Sequence, residues 1–182
     1  MAILTEETSG MSHAAFYRAA RGGSMQRVGR GIYLPEEFPP ADFDQIEAST
    51  KRPDATICLD SALAQHDLTD TIPAELHVAI FSQTHTPITE GAIAWHKFDR
   101  KTFNLGRELI LIAGTDMTIG CYSAERSIID AFRMRGEIGY ETGRDALKEW
   151  LRRGGKPSEI LKLAEKIPRA KTPLLFALEM LS

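Results

Sequence analysis

Apolar residues recur at helical spacing in "SHAAFYRAARGG", residues 12–23. Ala15, Phe16 and Ala19 fall on one stripe, which predicts a short amphipathic helix. Ser12 is a residue type that caps a helix N-terminus, and the two glycines at the end of the segment are typical of a helix stop. The opposite face of this helix is basic and aromatic, since it carries His13, Tyr17, Arg18 and Arg21.

Two short β-like segments, "SMQRV" (24–28) and "GIYLP" (31–35), follow this helix. The Gly-Arg-Gly sequence at 29–31 predicts a tight hairpin between them. A helix followed at once by an arginine-tipped hairpin is the arrangement of the second half of a winged helix-turn-helix. The residues fit equally well a basic helix-hairpin that only caps the edge of a domain.

Prolines surround a polar segment, "ADFDQIEAST", and predict a linker over residues 36–53 with a turn or two of helix. Beyond it, the pattern predicts a helix ending near His66, and then four strands at 75–81, 92–98, 108–114 and 117–122. From Ser123 onward the periodicity is helical, and Ile128, Ile129, Phe132 and Met134 form an apolar stripe that we expect to face the sheet.

These elements predict an α+β fold with an N-terminal, truncated winged helix-turn-helix. An α/β domain with a mixed or antiparallel sheet and C-terminal helices would follow. The predicted boundaries are 1–35 for the partial winged helix, 36–53 for the linker and 54–182 for the C-terminal domain.

Charge is segregated along the chain, although its net charge is only -3. Residues 8–35 contain four arginines and no acidic residue. This distribution confines any cationic field to the N-terminal piece. No stretch approaches the roughly 20 apolar residues that span a bilayer, and the first ten residues lack the order of a signal peptide, so we expect a cytoplasmic protein without a membrane partner. The two cysteines, Cys58 and Cys121, are expected to be reduced core thiols.

The search for catalytic chemistry yields no strong motif. The five histidines lack metal-ligand spacing, and neither a GxSxG elbow nor a phosphate-binding glycine loop occurs. We therefore expect no metal, no cofactor and no catalytic residue. Arg126 and Asp130 stand four residues apart, beside Glu125, and can form a structural ion pair against the apolar stripe. An acidic catalytic cluster is the other interpretation of these residues.

Four sequence blocks occur in an order that resembles the AbiEi family. They are "QRVGRGIYLP", "ICLDSALAQHDL", "YSAERSIIDAFRMRG" and "RDALKEWLRRGG", followed by a run ending "ILKLAEKI". The AbiEi proteins are the antitoxins of the type IV AbiE toxin–antitoxin systems and are also transcriptional regulators. The resemblance extends over residues 12–182.

The resemblance implies a protein with two roles and no catalytic site. Its winged helix-turn-helix would bind inverted repeats in its own promoter as a homodimer or cooperative pair. Its C-terminal domain would counteract a nucleotidyltransferase toxin without forming a stable complex with it. The implied recognition helix covers residues 12–21 and the implied wing covers 25–34, so the DNA-contact candidates are Ser12, His13, Tyr17, Arg18, Arg21, Arg27 and Arg30.

The chain departs from a complete winged helix at its start. A complete module has two helices before the recognition helix, but only eleven residues precede Ser12, with room for one short helix in "LTEETS". We therefore expect the apolar back of the recognition helix to need cover from another part of the protein. Two alternative functions stay open at this point: a protein-interaction module with a vestigial DNA-binding stub, and a metal-dependent nucleic-acid-processing enzyme using Glu125 and Asp130.

Overall fold

The computed structural model describes residues 9–35 and 41–181. Within these residues the chain forms a mixed α+β fold with eight helices and seven strands. In chain order they are α1 (His13–Arg21), β1 (Met25–Gly29), β2 (Ile32–Pro35), α2 (Phe43–Lys51), β3 (Thr56–Ile57), α3 (Leu59–Gln65), β4 (Leu76–Phe81), β5 (Ile93–Phe98), β6 (Arg107–Leu111), β7 (Thr118–Tyr122), α4 (Ala124–Arg133), α5 (Arg135–Ile138), α6 (Tyr140–Arg152), α7 (Pro157–Ala164) and α8 (Lys171–Leu181).

The strands form a two-stranded hairpin and a five-stranded mixed sheet of order β5-β4-β3-β7-β6. Strands β4 and β5 are parallel, as are β3 and β7, whereas β3 pairs antiparallel with β4 and β6 with β7. The four predicted strands are all present, and the predicted mixed sheet is confirmed. The central strand β3 was not predicted, because two residues are too few to show a period.

Helix α1 and the β1–β2 hairpin are present where the pattern placed them. The apolar back of α1 is covered by the hairpin, since Phe16 is buried and its ring meets that of Tyr33 edge-on at 5.2 Å. Residues 1–8, which include most of the short helix expected in "LTEETS", lie outside the described residues. The complete winged helix-turn-helix therefore stays a prediction.

One face of the five-stranded sheet packs against both α2 and the hairpin. Ile32 and Leu34 of the hairpin belong to the same hydrophobic cluster as Ile46 of α2 and Ile57 and Ile119 of the sheet. Residues 43–51 of the predicted linker therefore form a core helix. Asp42 caps this helix, because its carboxylate accepts a hydrogen bond from the Gln45 amide at 3.0 Å. The hairpin and the sheet share one core, so the predicted linker does not separate two cores in this part of the chain.

Helix α4 is buried on all sides, and most of its apolar stripe is directed away from the sheet. Ile128, Ile129 and Phe132 pack in a cluster with the helices α3, α6, α7 and α8, so the expectation that the stripe faces the sheet is wrong for these three residues. Met134, the fourth member of the stripe, does pack against sheet residues. The polar side of α4 faces the sheet instead, because the Arg126 guanidinium lies over the ring of Tyr122 at 4.3 Å. The prediction assumed that α4 has one face in solvent and one in the core. Because α4 is buried on both faces, its apolar pattern does not show which face meets the sheet.

Arg126 and Asp130 form an ion pair with both side chains fully buried, Nε to Oδ2 at 2.8 Å. Nη1 of the same guanidinium donates to the carbonyl oxygens of Thr102 at 2.7 Å and Leu105 at 2.6 Å. The other oxygen of Asp130 accepts from Arg133 Nε at 3.0 Å. A buried charge needs this density of partners, since its desolvation costs several kcal/mol. The pair thus ties α4 to the loop that precedes β6.

We expect Asp130→Ala to lower the free energy of unfolding by about 3–5 kcal/mol, because it leaves a buried guanidinium without its counter-charge. Urea denaturation followed by circular dichroism measures this change. Asp145→Ala, which removes an exposed carboxylate paired with Arg144, is the matched control and should leave the midpoint close to wild type. An unchanged midpoint for Asp130→Ala would show that the pair does not stabilise the fold.

Candidate nucleic-acid interface

Helix α1 is built to expose a basic, aromatic face. The Ser12 hydroxyl accepts a hydrogen bond from the Ala15 amide at 3.4 Å and so caps the helix, as predicted. Arg18 and Arg21 lie in the last turn, where the helix dipole favours positive charge. The Gly22 amide closes the helix on the Arg18 carbonyl at 2.9 Å.

The exposed side of α1 forms a shallow cleft of about 540 Å³ lined by His13, Ala14, Tyr17, Arg18 and Arg21. The rings of His13 and Tyr17 are 4.6 Å apart, so the aromatic groups form one continuous surface beside the arginines. Among the described residues, no carboxylate lies within ion-pair distance of Arg18 or Arg21. Guanidinium groups without a partner are available to bind phosphate.

The hairpin places its two arginines in different surroundings. Arg30 lies at the exposed turn, and its carbonyl accepts a hydrogen bond from Lys51 Nζ of α2 at 2.8 Å. Arg27 instead forms an ion pair with Glu90, which lies in the loop between β4 and β5. This pairing was not visible in the sequence, because the two residues are far apart along the chain. One of the seven DNA-contact candidates, Arg27, is therefore already paired with a carboxylate of the protein.

Glu47 explains one of the two glycines of the hairpin. Its carboxylate is fully buried and accepts hydrogen bonds from the amides of Glu90 at 3.1 Å and Gly91 at 2.9 Å. A Cβ atom on Gly29 would lie 2.5 Å from Oε1 of Glu47. Gly29 is therefore needed for close approach to a buried carboxylate, and the tight turn depends on Gly31, whose φ is +80°.

Two of the five histidines lie in contact with each other, and one of them also contacts an acidic residue. His77 Nδ1 and His96 Nε2 are 2.9 Å apart, and His96 Nδ1 lies 3.3 Å from Glu137 Oε2. If Nδ1 of His96 donates to Glu137, its Nε2 has only a lone pair and must accept from His77. The two residues meet because they occupy neighbouring parallel strands, where His77 lies opposite Ala94 and His96 opposite Ala79.

The acidic residues considered for catalysis do not converge. Asp130 is engaged by two arginines, whereas Glu125 accepts a hydrogen bond from Trp150 Nε1 at 3.2 Å. Burial raises the pKa of Cys58 and raises that of Cys121 to about 12, so neither thiol carries the low pKa of a nucleophile. In residues 9–35 and 41–181, no group of three or more metal-ligating side chains comes together.

Comparison with known proteins adds no assignment: no family model matches the chain, and no curated protein sequence matches it. None of the helices in the described part of the chain has the length and apolar character that a membrane span requires.

Burial lowers the pKa of His96, and the neighbouring His77 lowers it further, against the opposing effect of Glu137. The unfolded chain then binds a proton at about pH 6.5 that the folded chain does not, so stability falls as the pH drops below that value. We expect His96→Gln to show a smaller loss of stability than wild type between about pH 7.5 and about pH 5.5. Urea midpoints at the two pH values measure it.

The exposed His85 provides the control, because His85→Gln should keep the wild-type pH dependence. A loss of stability of the same size in His96→Gln and in wild type would exclude His96 as the source.

Proposed function

We propose that this protein is an antitoxin-type transcriptional regulator that binds DNA through α1 and the hairpin. The observation that carries the proposal is the exposed basic and aromatic face of α1, with Arg18 and Arg21 free of carboxylate partners in the described residues. The resemblance to the AbiEi family supports the same function. In this proposal the DNA ligand is an inverted repeat, and a nucleotidyltransferase toxin is the target that the protein counteracts without a stable complex.

The charge of this surface sets the expected affinity. Arg18, Arg21 and Arg30 can each neutralise a phosphate, which predicts a slope of about -3 for log K against log salt per protein copy. Such a slope gives weak binding at physiological salt. Two copies on an inverted repeat would double the slope and supply the affinity that a regulator needs, so the proposal includes a homodimer or cooperative pair on DNA.

A titration of the protein with its own upstream DNA tests the proposal by fluorescence anisotropy. At about 150 mM salt we expect tighter binding to this DNA than to a scrambled duplex, and Arg18→Gln/Arg21→Gln should weaken binding about tenfold or more. Arg144→Gln is the control, since its guanidinium is exposed on α6 and already pairs with Glu141 and Asp145. Equal binding to both duplexes would exclude the regulator function.

The pairing of Arg27 with Glu90 predicts a second effect on the same titration. Glu90→Gln removes the competing carboxylate, so it should tighten DNA binding and steepen the salt slope by about one. Adding Arg27→Gln to that variant should return both values to wild type. Unchanged affinity and slope in Glu90→Gln would show that Arg27 does not contact DNA.

A protein-interaction module is the second candidate, and a specific feature of α8 favours it. Leu175, Phe176 and Met180 are 38%, 59% and 70% exposed, so the last helix presents apolar surface to solvent. In this function the C-terminal helices bind a partner protein and the N-terminal basic surface is vestigial. The DNA titration separates the two candidates, because a vestigial surface predicts no preference for the upstream DNA.

A further inference from the structure

A second basic cleft lies far along the chain from α1. It has a volume of about 800 Å³ and is bounded by β5, α5 and the start of α8. Four of its lining residues are cationic, Lys97, Arg133, Arg135 and Arg169, and one is acidic, Glu137. Its volume falls within the range of about 300–1,000 Å³ that is typical of sites for small molecules.

The positive charge of this cleft is only partly neutralised within the protein. Arg133 pairs with the buried Asp130 at 2.9 Å. The single lining carboxylate, Glu137, lies 3.3 Å from His96, whose lowered pKa leaves it neutral at pH 7, so Glu137 offsets one of the other three cations. Lys97 donates to the carbonyl of Thr84 at 2.9 Å, and Arg135 donates to that of Phe132 at 3.1 Å, so both keep their full charge. The cleft thus concentrates positive charge in a chain whose net charge is -3.

Arg169 differs from the other charged lining residues in its backbone conformation and in its lack of partners among the described residues. Its φ is +63°, a left-handed conformation that favours glycine, and it has no ion-pair or hydrogen-bond partner in the described part of the chain. Such a conformation costs about 1 kcal/mol or more for a residue with a side chain. The arginine therefore adds a free guanidinium to the cleft at a position where glycine would fit the backbone better.

We propose that this cleft binds a multiply charged phosphate group carried by a small molecule. Guanidinium groups bind phosphate oxygens in pairs, and several of them around one bounded cleft match several charges on one ligand. Met134 and Pro173 also line the cleft and offer apolar contacts to the organic part of such a ligand. The alternative occupant, a nucleic-acid backbone, requires cations in an extended track, whereas these cations surround a cleft of small-molecule size.

Isothermal titration calorimetry on the full chain at low ionic strength tests the proposal. The probes are tripolyphosphate, adenosine triphosphate, orthophosphate and adenosine. We expect tripolyphosphate and adenosine triphosphate to bind, orthophosphate to bind at least tenfold more weakly than tripolyphosphate, and adenosine alone not to bind. Tighter binding of adenosine triphosphate than of tripolyphosphate would show that the nucleoside also contacts the cleft. Equal binding would show that the phosphate chain alone provides the affinity.

Arg169→Gly is the decisive variant, because it removes the guanidinium and relieves the backbone conformation at the same time. We expect its melting temperature to equal or exceed that of wild type and its tripolyphosphate binding to be about tenfold weaker, the effect of one lost charge-assisted contact. Arg144→Gln is the matched control and should bind as wild type does. The proposal is overturned if tripolyphosphate does not bind, if Arg169→Gly binds it as tightly as wild type does, or if Arg144→Gln weakens binding as much as Arg169→Gly.

A competition experiment separates this cleft from the DNA surface. Excess tripolyphosphate should not displace DNA from wild type or from Arg169→Gly. The Arg18→Gln/Arg21→Gln variant should bind tripolyphosphate as tightly as wild type does. If Arg169→Gly instead loses duplex binding and its tripolyphosphate affinity is unchanged, the cleft is a nucleic-acid contact and the proposal fails. The cleft variant and the α1 variant change different residues. The tripolyphosphate result therefore tests the cleft even if the protein does not bind DNA.

Discussion

A buried guanidinium sits at the point where the sheet, the C-terminal helices and the loop before β6 meet. Arg126 extends from α4 towards the sheet, lies over the rings of Tyr122 and Phe98, and pairs with Asp130. Its Nη1 donates hydrogen bonds to two loop carbonyls, while Nη2 has no hydrogen-bond partner in the described residues. This charge is stable in the interior only when all these elements are in place, so the group couples their positions.

The buried carboxyl group of Glu47 also connects separate elements, at the other end of the sheet. Glu47 of α2 accepts hydrogen bonds from the backbone of the loop that contains Glu90 and Gly91, and it lies against Gly29 of the hairpin. The loop then presents Glu90 to Arg27. Through this arrangement the loop between β4 and β5 affects the charge of the N-terminal basic surface. In the proposed regulator, DNA competes with a carboxylate of the protein for one arginine.

The two basic surfaces differ in how the fold supports them. The α1 surface belongs to one short helix, and its positive residues are close together in the sequence, so charge patterning alone is enough to find it. The cleft at α5 and α8 combines Lys97 of β5, Arg135 of α5 and Arg169 of the turn before α8. Nothing in their spacing indicates that they meet. The pairing of His96 with Glu137 has the same origin, since a strand and a helix far along the chain bring the two side chains together.

Interactions between residues close in the sequence therefore determine most helices and strands of this protein. Tertiary packing determines which of their side chains are buried, paired or exposed. Ser12, Gly31 and the apolar periodicities were sufficient to predict α1, the hairpin, four strands and the C-terminal helices, because caps, turns and spacing act within a few residues. The same patterns did not show β3, the buried polar face of α4, the role of Gly29 or the His77–His96 pair. Each of these depends on a contact between residues distant in the chain, and a contact of that kind leaves no periodic signal in the sequence.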